Sequence, residues 1–231
     1  IMTRWHEDDL VGRLLQQMRD GGETWEVLSL PALANDNDPL GRVPNTPLWP
    51  ERFPAETIKI IQSAIGSYLF SSMYQQNPQP AGGAVFKREW FNYYRDEEPY
   101  YILGSGQTER RILKDKCYRF STCDPSASER ETADYFALAT WAVTPDRDLL
   151  LIDMLRTRAE TTKHIPMLRA ELQRHNPAYI GVEDKTFGLN IIQAAKKEGL
   201  PIRPLKADTD KLSRSLTVAA RYEAGTVFHP V

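Results

Sequence analysis

The chain has 231 residues, of which 41% are hydrophobic and 26% are charged, a composition that suits a globular protein with one good core and an appendage. No apolar run approaches the ~20 residues that cross a bilayer, and no charged-then-apolar leader opens the sequence, so we expect a cytoplasmic protein without membrane contact. The net charge of −2 excludes a general cationic coat for nucleic acid.

The first third of the chain predicts two helices with a strand and a loop between them. Residues 8–20 place apolar side chains at helical spacing behind an acidic start, which favours an amphipathic helix. A strand is expected over residues 26–33, followed by a loop rich in Asn, Asp, Pro and Gly, and a second helix over residues 55–75. The sequence NPQPAGG at residues 77–83 suits neither helix nor central strand, so we place a domain boundary there.

Three successive strands and then alternating helices and strands are predicted for the rest of the chain. The strands cover residues 118–123, 135–143 and 149–155, and they are followed by a helix at 162–175, a strand at 178–182, a helix at 189–197, a strand at 202–205, a helix at 212–224 and a strand at 226–229. This order predicts an α/β fold with a mixed β-sheet flanked by helices, as in RNase H-like folds. The sequence contains no GxxxxGK[ST] loop and therefore no visible ATP-binding site.

Two carboxylates, Asp124 and Glu183, follow strands that this topology would bring together. If a right-handed crossover lays the fourth strand parallel beside the first, both residues stand at neighbouring strand ends, where open α/β sheets bind ligands. Hard oxygen ligands without a Cys or His cluster favour Mg²⁺ or Mn²⁺ over Zn²⁺. Two such ions can hydrolyse a phosphodiester when one carboxylate bridges them, and Asp124 is the candidate bridge. The alternative is an Asp-Pro turn and an ordinary strand end.

The other acidic residues are weaker candidates for metal ligands. Asp134 opens the second strand and either faces the same crevice or is an ordinary strand-edge charge. Asp153 is interpreted as an edge-strand or sheet-end charge, and helix capping explains Asp208 and Asp210.

Four basic residues are candidates for phosphate contacts, because they follow strand ends or start a helix on the side of the sheet where the acids are expected: Lys185, Lys206, Lys211 and Arg214. Residues 160–231 carry 11 Lys and Arg against 8 Asp and Glu, whereas residues 1–159 carry 18 against 23, so phosphate contacts are expected in the second part. The alternative is that these side chains are ordinary solvated surface charges.

Several segments resemble the large terminase subunit of tailed phages and prophages. They are TRWHEDDLVGRLL, LWPERF, SYLFSSMYQQNPQPAGGAVFKREWF, CDPSAS with TADYFAL, VEDKTFG and DKLSR, and the likeness covers nearly the whole chain. SSMYQQNPQP with its aromatic-rich flank is quite specific, whereas DPS or VED alone would be weak.

The resemblance implies that residues 1–83 are a C-terminal remnant of the ATPase domain plus a linker, and that residues 84–231 are an RNase H-like nuclease domain truncated at its C-terminus. Thr3 would match a coupling residue of the ATPase, which could not hydrolyse ATP here without its P-loop. Asp124 and Glu183 would be metal ligands, with Asp134 in a supporting role. The family's third acidic ligand would follow the last strand, where this chain stops, so we expect an incomplete site.

The implied function is that of a metal-dependent endonuclease that cuts concatemeric double-stranded DNA with two Mg²⁺ or Mn²⁺ ions. Its implied partners are the ATPase domain of the same subunit, the terminase small subunit and the portal protein. The alternative is a catalytically silent fragment that docks the packaging motor, the portal or the small subunit. A resolvase or transposase is disfavoured, because such an enzyme has no reason to carry the linker at residues 67–91.

Overall fold

The computed structural model describes residues 1–78, 85–125, 135–184, 186–206 and 211–231, without the side chains of residues 186, 187 and 211. The α-helices in these ranges are α1 (Leu10–Arg19), α2 (Ala55–Met73), α3 (Thr161–His175), α4 (Thr186–Lys197) and α5 (Lys211–Glu223). The strands are β1 (Asn92–Glu97), β2 (Tyr100–Leu103), β3 (Arg110–Leu113), β4 (Tyr118–Asp124), β5 (Phe136–Val143), β6 (Leu149–Thr157), β7 (Ile180–Glu183), β8 (Ile202–Leu205) and β9 (Val227–Pro230). Within the described ranges, no helix is long and apolar enough to span a membrane.

The chain divides into two compact units, residues 1–90 with 211–224 and residues 91–210 with 225–231. In the first unit, α2 is interrupted at Gly66, whose φ of +80° favours glycine. A Cβ at this position would lie 3.0 Å from the Ala220 side chain, because α5 approaches closely here. The interruption frees backbone donors, and Ser67 donates its N–H to the Glu223 carboxylate of α5 at 2.9 Å. The break in α2 is therefore stabilised by α5.

The two glutamines of the SSMYQQ segment attach the preceding parts of the chain to the end of α2. The Gln75 side chain accepts a hydrogen bond from the Leu33 N–H at 2.9 Å and donates one to the Leu33 carbonyl at 3.0 Å. The Gln76 side chain accepts a hydrogen bond from the Arg4 N–H at 3.2 Å. The strand predicted over residues 26–33 is wrong, since only Leu33 forms an isolated bridge, to Pro47. The Gln75 side chain satisfies both backbone groups of Leu33, and the Ala32 N–H donates to the Tyr74 carbonyl at 2.8 Å.

The second unit is built on a mixed sheet of nine strands in the order β3-β2-β1-β9-β6-β5-β4-β7-β8. Strand β4 lies inside this sheet, antiparallel to β5 and parallel to β7. Helices α3 and α4 pack on one face, where the buried core contains Cys123, Phe136, Leu138, Leu168, Ile180, Val182, Ile191, Ile192, Ala195, Leu200 and Ile202. The predicted α/β fold with a mixed sheet flanked by helices is confirmed.

A buried histidine in this core makes the stability of the protein depend on pH. The His164 ring is fully buried and stacks on Phe136 with 4.6 Å between ring centroids. Burial lowers the pKa of His164 below its ordinary value of 6.5, so below that pH the unfolded chain binds more protons than the folded chain. The stabilisation is present above about pH 6.5 and is lost as the pH falls.

We therefore expect His164→Gln to flatten the fall in unfolding free energy between about pH 7 and pH 5, measured by urea denaturation at each pH. The unfolding free energy of the variant should still fall somewhat with pH, because burial also lowers the pKa of His229. An identical slope in the variant and the wild type would contradict this assignment.

Candidate metal centre

Asp124 and Glu183 end two neighbouring parallel strands at the same edge of the sheet. Strand β4 pairs with β7 through Thr122 and Gly181 and then through Cys123 and Val182, and the next residues in this register are Asp124 and Glu183. Adjacent strands are about 4.8 Å apart, so the two Cα atoms are separated by roughly that distance. The crossover from β6 through α3 to β7 brings together residues that are far apart in sequence.

Both carboxylates face away from helices α3 and α4. Side chains alternate along a strand, and the residues before the two acids, Cys123 and Val182, are buried in the core on the helix face. Asp124 and Glu183 therefore lie on the opposite face, where Asp124 is exposed and Glu183 is half-buried. Asp124 is also in register with Ala137 of β5, and Glu183 is in register with Leu205 of β8.

The donor set at this edge fits a hard divalent cation. The two carboxylates supply oxygen ligands, which Mg²⁺ and Mn²⁺ prefer. The adjacent thiol of Cys123 is unsuited to be a ligand, because it is buried on the other face and desolvation raises its pKa to about 12.

The other predicted site residues are only partly placed by the structure. Lys206 is exposed and follows β8 at the same edge as the acids. Arg214 lies in α5, which belongs to the first compact unit, and Thr3 is exposed in that unit. Asp134 and Lys185 lie outside the described residues, as do Asp208, Asp210 and the side chain of Lys211.

A polar cluster that the sequence analysis did not predict lies on the helix face of the sheet. Asp153 of β6 accepts hydrogen bonds from His175 at 2.9 Å and from Arg174 at 3.0 Å. Glu171 is buried one helical turn before His175 and accepts a hydrogen bond from the Thr140 hydroxyl. One oxygen or nitrogen atom from each of Asp153, Glu171 and His175 lies within 4.8 Å of the others, a spacing that could hold a metal ion.

The interpretation of Asp153 as an edge-strand or sheet-end charge did not include this cluster. Asp153 pairs with Thr140 of β5 and lies beyond the pairing of β6 with β9, which is at Leu149 and Leu150. The strands β1 to β3, which were not predicted, extend the sheet beyond β6 together with β9. The spacing of Glu171 and His175 by four residues in a predicted helix was the available sequence signal, since it places both side chains on one helix face.

A comparison with known protein families finds a match to the part of the chain that contains the two strand-end carboxylates. The model of the terminase RNase H-like domain family matches residues 121–231, which include Asp124 and Glu183. This match covers nearly half of the chain. The predicted relationship to the large terminase subunit is thus confirmed for this domain.

The fold is also found in a solved large terminase. The large terminase of a thermophilic bacteriophage superposes with a TM-score of 0.59 at 9% identity, over 99% of this chain and 49% of that protein, so this chain spans about half of its length. The large terminase nuclease from thermophilic phage G20c, solved with bound magnesium, has a TM-score of 0.47 at 16% identity, over 65% of this chain and 76% of that one. No curated protein sequence matches this chain significantly.

Proposed function

We propose that this terminase RNase H-like domain is a metal-dependent endonuclease that cuts concatemeric double-stranded DNA during viral genome packaging. The observation that carries the proposal is the register of β4 and β7, which sets Asp124 and Glu183 side by side at the carboxyl edge of the sheet. Adjacent carboxylates are suited to hold the divalent cations that hydrolyse phosphodiesters in two-metal sites. We expect Mg²⁺ or Mn²⁺, and two ions in a complete site.

In this proposal each residue has a defined task. Asp124 would hold both ions, Glu183 would hold one of them, and Asp134 would support the site. The bound ions supply an activated water and stabilise the leaving oxygen. Lys185, Lys206, Lys211 and Arg214 position the DNA through its phosphates without reading its sequence.

The proposed partners follow from the terminase relationship. Residues 1–83 are proposed to be the end of the ATPase domain and the linker, with Thr3 as a remnant of the nucleotide-coupling motif, and residues 84–231 to be the nuclease domain. We also propose that the domain works with the terminase small subunit and the portal protein in the host cell cytoplasm. ATP hydrolysis is not expected from this chain, which has no P-loop.

The proposal is tested by cleavage of a supercoiled plasmid in Mg²⁺ or Mn²⁺ and in EDTA. We expect cleavage by the wild type only with metal, and a loss of at least about tenfold in Glu183→Gln, because losing even an outer group around a metal typically costs 10- to 100-fold. Asp184→Asn makes the same change of carboxylate to amide one residue further along and is expected to cleave at the wild-type rate.

The outcomes of this assay separate the candidate functions. Loss of cleavage in Asp184→Asn with retention in Glu183→Gln would contradict the register-based assignment. Absence of cleavage by the wild-type chain in either metal would contradict the nuclease proposal for this chain and favour the silent docking module.

A further inference from the structure

Two arginines lie over the same aromatic ring, next to the sheet edge where Asp124 and Glu183 lie. The central guanidinium carbon of Arg156 lies 3.5 Å from the ring centroid of Tyr135, and that of Arg158 lies 4.5 Å from the same centroid. Both arginines are exposed, whereas Tyr135 is half-buried at the start of β5. The ring thus brings two positive charges together at the surface. We call these three residues the Arg–Tyr–Arg cluster.

The sheet register places this cluster on the face of Asp124. Arg156 pairs with Ala137, and Ala137 pairs with Asp124, so the three side chains lie in one row across β6, β5 and β4. Paired residues on adjacent strands project to the same face. Two strand spacings separate Arg156 from Asp124, about 10 Å. Because β6 and β4 both run antiparallel to β5, the cluster and the acids are at the same sheet edge.

The charge of the cluster is not balanced by carboxylates in the described part of the chain. In those residues neither Arg156 nor Arg158 forms a salt bridge, whereas several exposed arginines elsewhere in this unit do: Arg95 with Glu97 and Glu109, Arg110 with Asp146 and Asp148, Arg174 with Asp153. Two guanidinium groups held together repel each other, and an exposed cation–π contact is weak. The arrangement is therefore suited to an anion with several oxygens.

We propose that the Arg–Tyr–Arg cluster is a binding site for backbone phosphates of double-stranded DNA next to the phosphate that is cut. This inference rests on the proposed nuclease function and adds a site to it. Guanidinium groups bind phosphate oxygens through paired hydrogen bonds, and the Tyr135 ring orients both groups before DNA arrives. Along the carboxyl edge, Asp124 and Glu183 then lie between the cluster at β6 and Lys206 after β8.

The test measures binding and not cleavage. The affinity for a short fluorescent DNA duplex is determined by anisotropy in EDTA at a series of salt concentrations. Each phosphate contact contributes about 0.9 to the slope of log affinity against log salt, so the double variant Arg156→Gln, Arg158→Gln should lower the slope by about 1.8. Arg95→Gln, which removes one positive charge from β1, should leave the slope unchanged, whereas Arg156→Gln, which also removes one, should lower it by about 0.9. Arg156→Lys should keep the slope, because it keeps the charge.

The possible outcomes distinguish this inference from the function on which it rests. A double variant that is folded, by thermal unfolding, and has the wild-type salt slope would overturn the cluster proposal even if the wild type cleaves DNA. A fall of about 0.9 in the slope for Arg95→Gln would also overturn it, because the effect would then be one of net charge. If the wild type binds no DNA, both the cluster and the nuclease proposal fail. If the double variant does not fold, Arg156→Gln alone should lower the slope by about 0.9, and an unchanged slope would overturn the proposal.

Discussion

Replacing Asp124 with asparagine should reduce metal-dependent DNA cleavage by more than about 100-fold, or about 2.7 kcal/mol of transition-state stabilisation. The amide keeps the size of the side chain but removes the negative charge that the proposed bridge between two cations requires. The measurement is the initial rate of plasmid nicking at saturating Mn²⁺. Asp146→Asn, in an exposed turn, is the matched control and should cleave normally.

The combination of Asp124→Asn with Glu183→Gln provides a stricter test of this arrangement. If both residues hold the same ions, the double variant should be scarcely slower than the slower single variant, because residues that act as a unit are not additive. Losses that multiply would show that the two carboxylates act independently, contrary to the proposed centre.

Leu168→Ala should lower the unfolding free energy by about 2–5 kcal/mol, which is a large part of the stability of a typical domain. Leu168 is fully buried where α3 packs on the sheet, so its removal leaves a cavity in the core that contains Phe136 and Leu138. Urea denaturation measures the difference. Leu189→Ala in α4 is the control, since Leu189 is 47% exposed and should change stability by only about 0.5 kcal/mol. Equal losses in both variants would show that the packing of α3 is wrongly assigned.

The sequence predicted the second half of the fold because its strands are apolar and its helices are strongly periodic. The β-strand at residues 136–143 has the sequence FALATWAV, which is apolar at every position except Thr140, and all of its side chains are buried or half-buried. The strands β1 and β3 were missed because charged side chains interrupt their apolar pattern, as in NYYRDE, and β2 because its apolar run, YYIL, has only four residues. Strand β1 pairs parallel to β9 from the far end of the chain, and such long-range pairing leaves no local signal.

The candidate metal centre could be predicted because both acids directly follow apolar strands and the crossover rule fixes which strands are neighbours. The Arg–Tyr–Arg cluster could not be predicted in the same way. Arg156 and Arg158 are two residues apart, which places them on one side of a strand, but their contact with Tyr135 depends on the register of β5 and β6. The Asp153, Glu171 and His175 cluster likewise requires the packing of α3 against the sheet.

The most direct test of the central claim is a crystal soaked in Mn²⁺ and measured by anomalous scattering. We predict an anomalous peak between the carboxylates of Asp124 and Glu183, which Asp124→Asn should remove and Asp153→Asn should leave in place. A peak at Asp153, Glu171 and His175 with none at Asp124 and Glu183 would contradict the proposed centre, because the cation would then be bound on the opposite face of the sheet.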